Sequence, residues 1–220
     1  MPEFSFSSLE PYLDSLVPER HHELQKMEAY AAEKGFPIVG PASGMFCYMV
    51  ARMVGARSVF ELGSGYGYST AWFARAVDEN GGGVVHHVVW DEDLSKMARQ
   101  HLAALGYPAT DSGAKAKTMI DYTVGEAVAA FKQHEGPFDL VFNDIDKQAY
   151  PETIEPVTAR LRKGGAFITD NVVWSGRVLE GDDSDQTKAI MAFNSRMASS
   201  EDWATTVVPI RDGLLLALRR

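Results

Sequence analysis

Two short stretches place acids and a lysine directly after apolar runs. "FDLVFNDIDK" ends with Asp144, Asp146 and Lys147, and "GAFITDN" ends with Asp170 and Asn171. If both runs are neighbouring strands of a parallel sheet, their carboxyl ends open on one crevice. Two carboxylates and an amide oxygen suit a hard divalent cation such as Mg²⁺, with Mn²⁺ or Ca²⁺ as substitutes. We therefore predict that Asp144, Asp170 and Asn171 bind a metal ion.

Lys147 follows Asp144 by three residues, which is one turn if a helix begins there. A lysine amine that is partly desolvated and close to a cation releases its proton more readily. We interpret Lys147 as a general base. The alternatives are a surface lysine in a charged turn and, for each acid taken singly, a helix cap or turn residue.

A glycine-rich stretch, "VFELGSGYGYST", follows the first strand candidate. A glycine turn at this point of a doubly wound sheet marks a nucleotide-type site. A dinucleotide site requires G-x-G-x-x-G, but Tyr68 occupies the last position and the spacing is G-x-G-x-G. S-adenosylmethionine has no phosphate and has an ammonium that Glu61 could orient. The pattern favours S-adenosylmethionine, and a simple tight turn is the remaining alternative.

The next two strand candidates end in residues that suit the adenosine part of such a ligand. An acid after the second strand holds ribose hydroxyls, and Asp91 is the first candidate, with Asp93 as the alternative. Asp91 could equally cap a helix. After the third strand, "VGEA" offers backbone and small side chains near the adenine, from Gly125, Glu126 and Ala127.

Strand and helix patterns alternate from the first strand onward. The strand candidates are "SVFEL", "VVHHVVW", "AKTMIDYTV", "FDLVFND" and "GAFITDN", with helical stretches such as "YPETIEPVTARLRKG" between them. The tail "WATTVVPIRDGLLLALRR" reads as two strands joined by a turn. We expect an α/β fold: a Rossmann-like, doubly wound, seven-stranded sheet, mostly parallel, with a C-terminal antiparallel hairpin and helices on both faces.

The first part of the chain is expected to be a helical extension, residues 1–36, followed by a single domain, 37–220. Pro18 suits the first turn of its second helix and Gly35 suits the end of that helix. "FPIVGPASG" is expected to be a loop, and "MFCYMVARMVG" an apolar helix. The apolar residues of this helix are expected in the core or at a contact between two copies, and we expect a homodimer.

Composition narrows the function classes. The net charge of −9 over 220 residues disfavours nucleic acid and anionic membranes as partners. The chain contains one cysteine, Cys47, so it has no internal disulfide framework, which fits a reducing cytoplasm. We find no apolar run of roughly 18 residues and expect neither a signal peptide nor a membrane span. The six histidines show no zinc spacing and are interpreted as structural.

These motifs resemble the cation-dependent, S-adenosylmethionine-dependent O-methyltransferases, the group that includes caffeoyl-CoA and catechol O-methyltransferases. The resemblance extends from about residue 37 to the C-terminus. "VGPASG" resembles the loop over the methionine end of the cofactor and implies contacts from Val39 and Gly40. "ELGSGYGYS" is similar to the first cofactor motif and implies contacts from Glu61, Gly63 and Ser69.

Two later stretches are the more specific part of the resemblance. "VFNDIDKQAY" resembles the strand whose aspartate binds metal, with lysine three residues further on, here Asp144 and Lys147. "ITDNVVWSGRV" is similar to the second ligand strand. It implies metal binding by Asp170 and Asn171, with Trp174 and Ser175 near the acceptor.

The resemblance implies an enzyme that transfers the methyl group of S-adenosylmethionine to a hydroxyl of a catechol-like phenol. The acidic segment "VLEGDDSDQ" offers no basic group for coenzyme A phosphates, so a free phenol is favoured over a thioester. Three alternatives remain open at this point: a methyltransferase acting on a hydroxylated tRNA base, a nicotinamide-dependent oxidoreductase, and a non-catalytic S-adenosylmethionine-binding module.

Overall fold

Three helices precede the first strand in the computed structural model, which describes residues 6–220. They are α1 (Phe6–Ser15), α2 (His22–Lys34) and α3 (Gly40–Met53). Gly35 ends α2 in the left-handed region, with φ of 63°, as predicted. The helical prediction for the first 36 residues is confirmed for α1 and α2, and residues 1–5 lie outside the described part.

Strands and helices then alternate along the chain. The strands are β1 (Ser58–Leu62), β2 (Gly83–Val89), β3 (Thr118–Val124), β4 (Phe138–Asn143), β5 (Leu161–Thr169), β6 (Trp203–Val208) and β7 (Leu214–Arg219). The helices among them are α4 (Tyr68–Glu79), α5 (Glu92–Ala104), α6 (Ala127–Gln133), α7 (Tyr150–Arg160) and α8 (Asp185–Ser199). Of these, only α8 was not among the predicted helices.

The seven strands form one sheet in the order β3-β2-β1-β4-β5-β7-β6. Strands β1 to β5 are parallel, and β7 pairs antiparallel with both β5 and β6. Helices α2 to α5 pack on one face, and α6, α7 and α8 on the other. The predicted Rossmann-like sheet with its terminal hairpin is confirmed.

The register of β1, β4 and β5 determines what meets at their carboxyl ends. Leu62 is opposite Asn143, and Asn143 is opposite Thr169. The next residue of each strand therefore lies at the same level: Gly63, Asp144 and Asp170. Chain order reverses between β1 and β4, and a ligand crevice is expected at such a reversal.

Three sequence-based boundaries were wrong, each for a local reason. Pro18 lies in the connection before α2, because that helix begins only at His22, where the His21 ring accepts from the Glu23 amide at 3.1 Å. The predicted loop over 36–44 ends at Val39, since Pro41 fits the first turn of α3. Residues 161–164, predicted as helix, open β5 instead.

Helix α2 packs into the main body of the protein. Met27, at 0% exposure, belongs to the same core cluster as Tyr66, whose hydroxyl donates to the Met27 carbonyl at 2.8 Å. The Asp14 carboxylate accepts from the Ala42 amide at 2.9 Å. The division into 1–36 and 37–220 stays a prediction. Within residues 6–220, no helix combines the length and apolar character that crossing a bilayer requires.

Gly44 is the position where α3 approaches α4 most tightly. A Cβ added there would lie 2.3 Å from Trp72 Nε1 and under 3.0 Å from two further atoms of that buried ring. Overpacking of this kind costs about 1–3 kcal/mol, and the helix propensity gained from alanine returns at most about 1 kcal/mol. We expect Gly44→Ala to lower the free energy of unfolding by about 1–2 kcal/mol, measured by urea denaturation.

The neighbouring Ser43→Ala is the matched control. The Ser43 hydroxyl is buried and has no hydrogen-bond partner among residues 6–220, so its removal should change the free energy of unfolding by less than about 1 kcal/mol. Equal destabilisation by both variants would contradict the close contact between Gly44 and Trp72.

Candidate active site

A cleft of about 1020 Å³ lies at the carboxyl ends of β1, β2, β4 and β5. It contains both the glycine turn and the two acidic strand ends. Its wall also includes Trp90 after β2 and Arg211 from the hairpin between β6 and β7. A cleft of this size and position matches the binding sites of doubly wound sheets.

The glycine turn is built so that two backbones can approach each other. Gly63 has φ of 82°, and a Cβ at this position would lie 2.3 Å from the carbonyl oxygen of Asp144. The Asp144 amide donates to the Leu62 carbonyl at 2.8 Å. Gly63 and Ser69 both line the cleft. Only glycine permits this contact between the turn after β1 and the loop after β4.

Glu61 lies behind the glycine turn and not in the cleft wall that the described residues form. Its side chain is completely buried, with one oxygen accepting from the Thr70 hydroxyl, which lies 3.0 Å from His87 Nδ1. Burial raises the pKa of Glu61 to about 7, although the hydroxyls of Ser69 and Thr70 oppose the shift. The predicted contact of Glu61 with a ligand ammonium stays a prediction.

Of the residues predicted to lie near the adenosine of the cofactor, some line the cleft and others cap helices. Gly125 and Ala127 line the cleft. Glu126 caps α6, its two carboxylate oxygens accepting from the amides of Val128 and Ala129.

The two ribose candidates, Asp91 and Asp93, lie at the start of α5. Asp91 caps that helix by accepting from the amides of Asp93 and Leu94. Asp93 is exposed and pairs with Lys96 at 3.1 Å. The ribose role of either acid stays a prediction.

The acidic strand ends and the lysine form one connected cluster. Lys147 Nζ lies 3.0 Å from Asp144 Oδ1 and 2.7 Å from Asn171 Oδ1. The Asp170 amide donates to the Asn143 carbonyl at 3.0 Å, which extends the sheet ladder by one residue. The three oxygen-bearing residues predicted as metal ligands thus lie together, with an ammonium between two of them.

Asp170 is buried beside a second carboxylate, and both conditions disfavour its charged form. It is 6% exposed, and burial together with the Asp144 carboxylate raises its pKa to about 7. The Asn171 amide donates to Asp170 Oδ1 at 2.7 Å and partly opposes the shift. A divalent cation would remove the repulsion between the two carboxylates, so this donor set fits such an ion.

Backbone strain is concentrated in the segment after β5. Asn171, Trp174 and Ser175 have φ of 56°, 52° and 53°, in the left-handed region that favours glycine. The Asp212 carboxylate accepts from the Ser175 amide and helps to hold this conformation. Trp174 lies over Lys147, with Nζ 5.9 Å from its ring centroid. Non-glycine residues in this region often mark functional sites.

The hairpin turn contributes residues that the sequence analysis missed. Arg211 and Asp212 line the cleft because antiparallel β7 begins where β5 ends. Arg211 Nη1 donates to the Ile38 carbonyl at 2.5 Å, directly beside the cleft residue Val39. A Cβ on Gly40, which has φ of 71°, would lie 2.5 Å from Arg211 Nη1. The sequence analysis interprets the turn at "RDG" only as a connection between two strands, although the turn also places the side chains of Arg211 and Asp212 in the cleft wall.

Comparison with known proteins gives consistent matches over nearly the whole chain. The model of a family described as O-methyltransferase matches residues 14–220. A catechol O-methyltransferase of Niastella koreensis is 26% identical over 225 residues, covering 97% of each chain. Caffeoyl-CoA O-methyltransferase 2 of Zea mays is 26% identical over 220 residues, covering 93% of this chain and 79% of the relative.

A solved structure matches equally well. The O-methyltransferase TomG of Streptomyces achromogenes, crystallised with S-adenosylmethionine, superimposes with a TM-score of 0.80 and 27% identity. The match covers 96% of both chains.

The pKa of Glu61 generates a test of stability against pH. Because its folded-state pKa is raised to about 7, the protonated group contributes stability that is present below about pH 4.5 and lost as pH rises to about 7. The substitution Glu61→Gln replaces the titrating carboxyl by an amide and therefore removes this loss of stability at higher pH. In urea denaturation of the EDTA-treated protein, the variant should gain relative to wild type between pH 5 and pH 8, by up to about 3 kcal/mol.

The difference in unfolding free energy between variant and wild type removes the pH dependence that the other titrating groups contribute to both proteins, Asp170 and His87 included. A gap that stays constant between pH 5 and pH 8 would show that Glu61 is already ionised at its ordinary pKa in the fold.

Proposed function

This chain belongs to the O-methyltransferase family, and from that premise we propose a cation-assisted methyl transfer from S-adenosylmethionine to a catechol-like small molecule. The enzyme is an S-adenosylmethionine-dependent O-methyltransferase of the caffeoyl-CoA and catechol type. Family membership removes the nicotinamide-dependent alternative. The observation that carries the finer proposal is the junction of Asp144, Lys147, Asp170 and Asn171 beside the glycine turn.

Asp144, Asp170 and Asn171 would hold the divalent cation, with Mg²⁺ as our first choice. Their oxygens are hard donors, and Lys147 Nζ already brings one positive charge to Asp144 and Asn171 at 3.0 and 2.7 Å. A cation bound there supplies Lewis acidity, which lowers the pKa of a coordinated hydroxyl.

Lys147 is proposed to accept the hydroxyl proton at Nζ. Its side chain is 12% exposed, so water has little access to the amine. A cation held by Asp144 and Asn171 would take two hydrogen-bond acceptors from the Lys147 ammonium and repel its charge, so Nζ would release a proton to solvent and could then accept the proton of the acceptor hydroxyl. The Tyr150 ring, 5.0 Å from Nζ at its centroid, restricts the amine on another side.

The cleft would bring the methyl donor and the acceptor into contact. Of the residues proposed to contact the cofactor, Val39, Gly63, Ser69, Gly125 and Ala127 line the cleft formed by the described residues, whereas Gly40, Glu61, Asp91 and Glu126 do not. Gly63 lies against Asp144, and this contact requires glycine because a Cβ on residue 63 would lie 2.3 Å from the Asp144 carbonyl oxygen. Holding two reactants in attack geometry lowers a barrier by up to about 7–11 kcal/mol.

The acceptor is proposed to be a free phenol with two adjacent hydroxyls. Trp174 offers an aromatic face beside Lys147, and Ser175 follows it at the cleft wall. Beyond Trp174 the chain continues through acidic residues, 182–183 and 185, where coenzyme A phosphates would be repelled. We would test methyl transfer to a panel of catechols, mono-phenols and a caffeoyl thioester, each with and without Mg²⁺. Transfer only to mono-phenols would contradict the proposal.

The ligand assignment predicts a loss of cation dependence. In Asp144→Asn and in Asp170→Asn, turnover of a catechol should fall by at least about 100-fold, and EDTA or added Mg²⁺ should change the residual rate little. The control is Asp146→Asn, since Asp146 is an exposed acid two residues from Asp144. This variant should keep the full response to EDTA. An unaltered EDTA response in both ligand variants would refute the assignment.

The base assignment predicts a split between turnover and binding. Lys147→Ala should lower kcat by about 10²–10⁴-fold, the contribution of a general base, while the affinity for S-adenosylmethionine measured by calorimetry changes less than about threefold. Lys188→Ala, at an exposed position of α8, is the matched control and should leave both unchanged. Loss of cofactor affinity equal to the loss of kcat would make Lys147 a structural residue.

A further inference from the structure

A second cluster of metal-binding side chains lies outside the cleft. It consists of His86 in β2, Asp121 in β3 and His134 directly after α6, and we call it the His–Asp–His cluster. One ligand atom of each residue lies within 4.8 Å of the others. His86 and Asp121 are direct neighbours across the parallel pair of β2 and β3. None of the three lines the cleft formed by the described residues.

The distances suit an ion with short bonds. Asp121 Oδ2 lies 2.9 Å from His86 Nδ1 and 3.5 Å from His134 Nε2. Zinc bonds of about 2.1 Å at tetrahedral angles place two ligand atoms about 3.4 Å apart. A small opening of the His86–Asp121 contact is therefore enough to admit a metal ion.

Two outer hydrogen bonds orient the ligands. His134 Nδ1 lies 2.9 Å from the Ala130 carbonyl, which can only accept, so the proton sits on Nδ1 and Nε2 presents a lone pair. The Thr110 hydroxyl donates to Asp121 Oδ1 at 3.2 Å and leaves Oδ2 toward the two histidines. Metal-binding histidines are oriented in this way by a carbonyl on the second ring nitrogen.

The residues around the cluster leave its ligand atoms facing one another. His134 Nε2 faces the Asp121 carboxylate at 3.5 Å. The Arg99 guanidinium is engaged with Asp111 through two hydrogen bonds of 2.9 and 3.0 Å. Apolar rings of Phe60 and Phe138 pack against the imidazoles and supply no charge.

We propose that the His–Asp–His cluster binds one transition-metal dication of the Zn²⁺ type. Two imidazole nitrogens and one carboxylate select Zn²⁺, Co²⁺ or Ni²⁺ over Mg²⁺ and Ca²⁺, which prefer oxygen ligands. The side chains are 17–33% exposed, so an ion can enter and a water can complete the coordination. The bound ion joins β2, β3 and the end of α6, whose first residue, Ala127, lines the cleft.

The test separates this site from the oxygen ligands of the cleft. In the double variant D144N/D170N, two of the three proposed Mg²⁺ ligands are replaced. We expect this protein, after EDTA treatment, to take up one equivalent of Co²⁺ with the visible absorption of a nitrogen-ligated ion. Added Zn²⁺ should displace the cobalt, whereas millimolar Mg²⁺ should not. Absence of cobalt bands and of any Zn²⁺ heat in calorimetry would overturn the proposal.

Ligand variants in the same background locate the ion. His86→Phe and His134→Phe keep a ring of similar volume against Phe60 and should weaken Zn²⁺ binding by at least about tenfold. His101→Phe is the matched control, because His101 also pairs with a carboxylate, Glu23 at 2.8 Å, and should bind Zn²⁺ as before. Unchanged affinity in both ring variants would show that the ion sits elsewhere.

Thermal unfolding of the wild-type protein provides a further test, which does not depend on whether the variants fold. Zn²⁺ at 100 times its dissociation constant should raise the Tm by about 5 °C or more, with Mg²⁺ present throughout to saturate the cleft. Asp121→Asn should lose this gain. A wild-type Tm that zinc leaves unchanged would contradict the proposal even if the phenylalanine variants fail to fold.

Discussion

The site depends on one backbone contact, the approach of Gly63 to the carbonyl of Asp144. A Cβ at Gly63 would lie 2.3 Å from that oxygen, well inside van der Waals contact. The contact brings the turn after β1 against the loop after β4, and the Asp144 amide secures it by donating to the Leu62 carbonyl. In the proposed reaction, a methyl donor held by the first loop and an acceptor held by the second would thereby be set at a fixed separation. Proximity of this kind is the largest contribution that a transferase can build from geometry alone.

The carboxylates at this junction are placed where the fold alone does not stabilise their charge. Burial raises the pKa values of Asp170 and Glu61 to about 7, with Asp144 adding to the shift at Asp170. Lys147 is hydrogen-bonded to Asp144 and Asn171 and not to Asp170. The charges of Lys147 and Arg211 thus offset only part of the cost of ionising Asp170. Such an imbalance at the mouth of a cleft is expected where a ligand or ion completes the site.

The sequence predicts the fold well because its strands are short apolar runs bounded by polar or glycine residues. "SVFEL" coincides with β1, and the acids of "FNDIDK" and "FITDN" follow β4 and β5 as expected. Parallel pairing then places Asp144 beside Asp170 without further information. Prediction from local sequence fails where one residue type serves two roles, as at Asp91, which caps α5. It also fails where tertiary contact decides, as at Gly44, where the absence of a Cβ lets α3 lie close against the Trp72 ring.

The two proposed ion sites differ in how far the sequence alone indicates that their ligands meet. The oxygen ligands follow strand ends, so their meeting is implied by the order of the strands. The His–Asp–His cluster lies in mid-strand, and its members are separated by 35 and 13 residues, on β2, on β3 and after a helix. Only the register of His86 with Asp121 and the packing of α6 bring them together. Because nitrogen and oxygen donors prefer different ions, the two proposed sites would select different cations, a hard one at the carboxyl edge of the sheet and a softer one on its face.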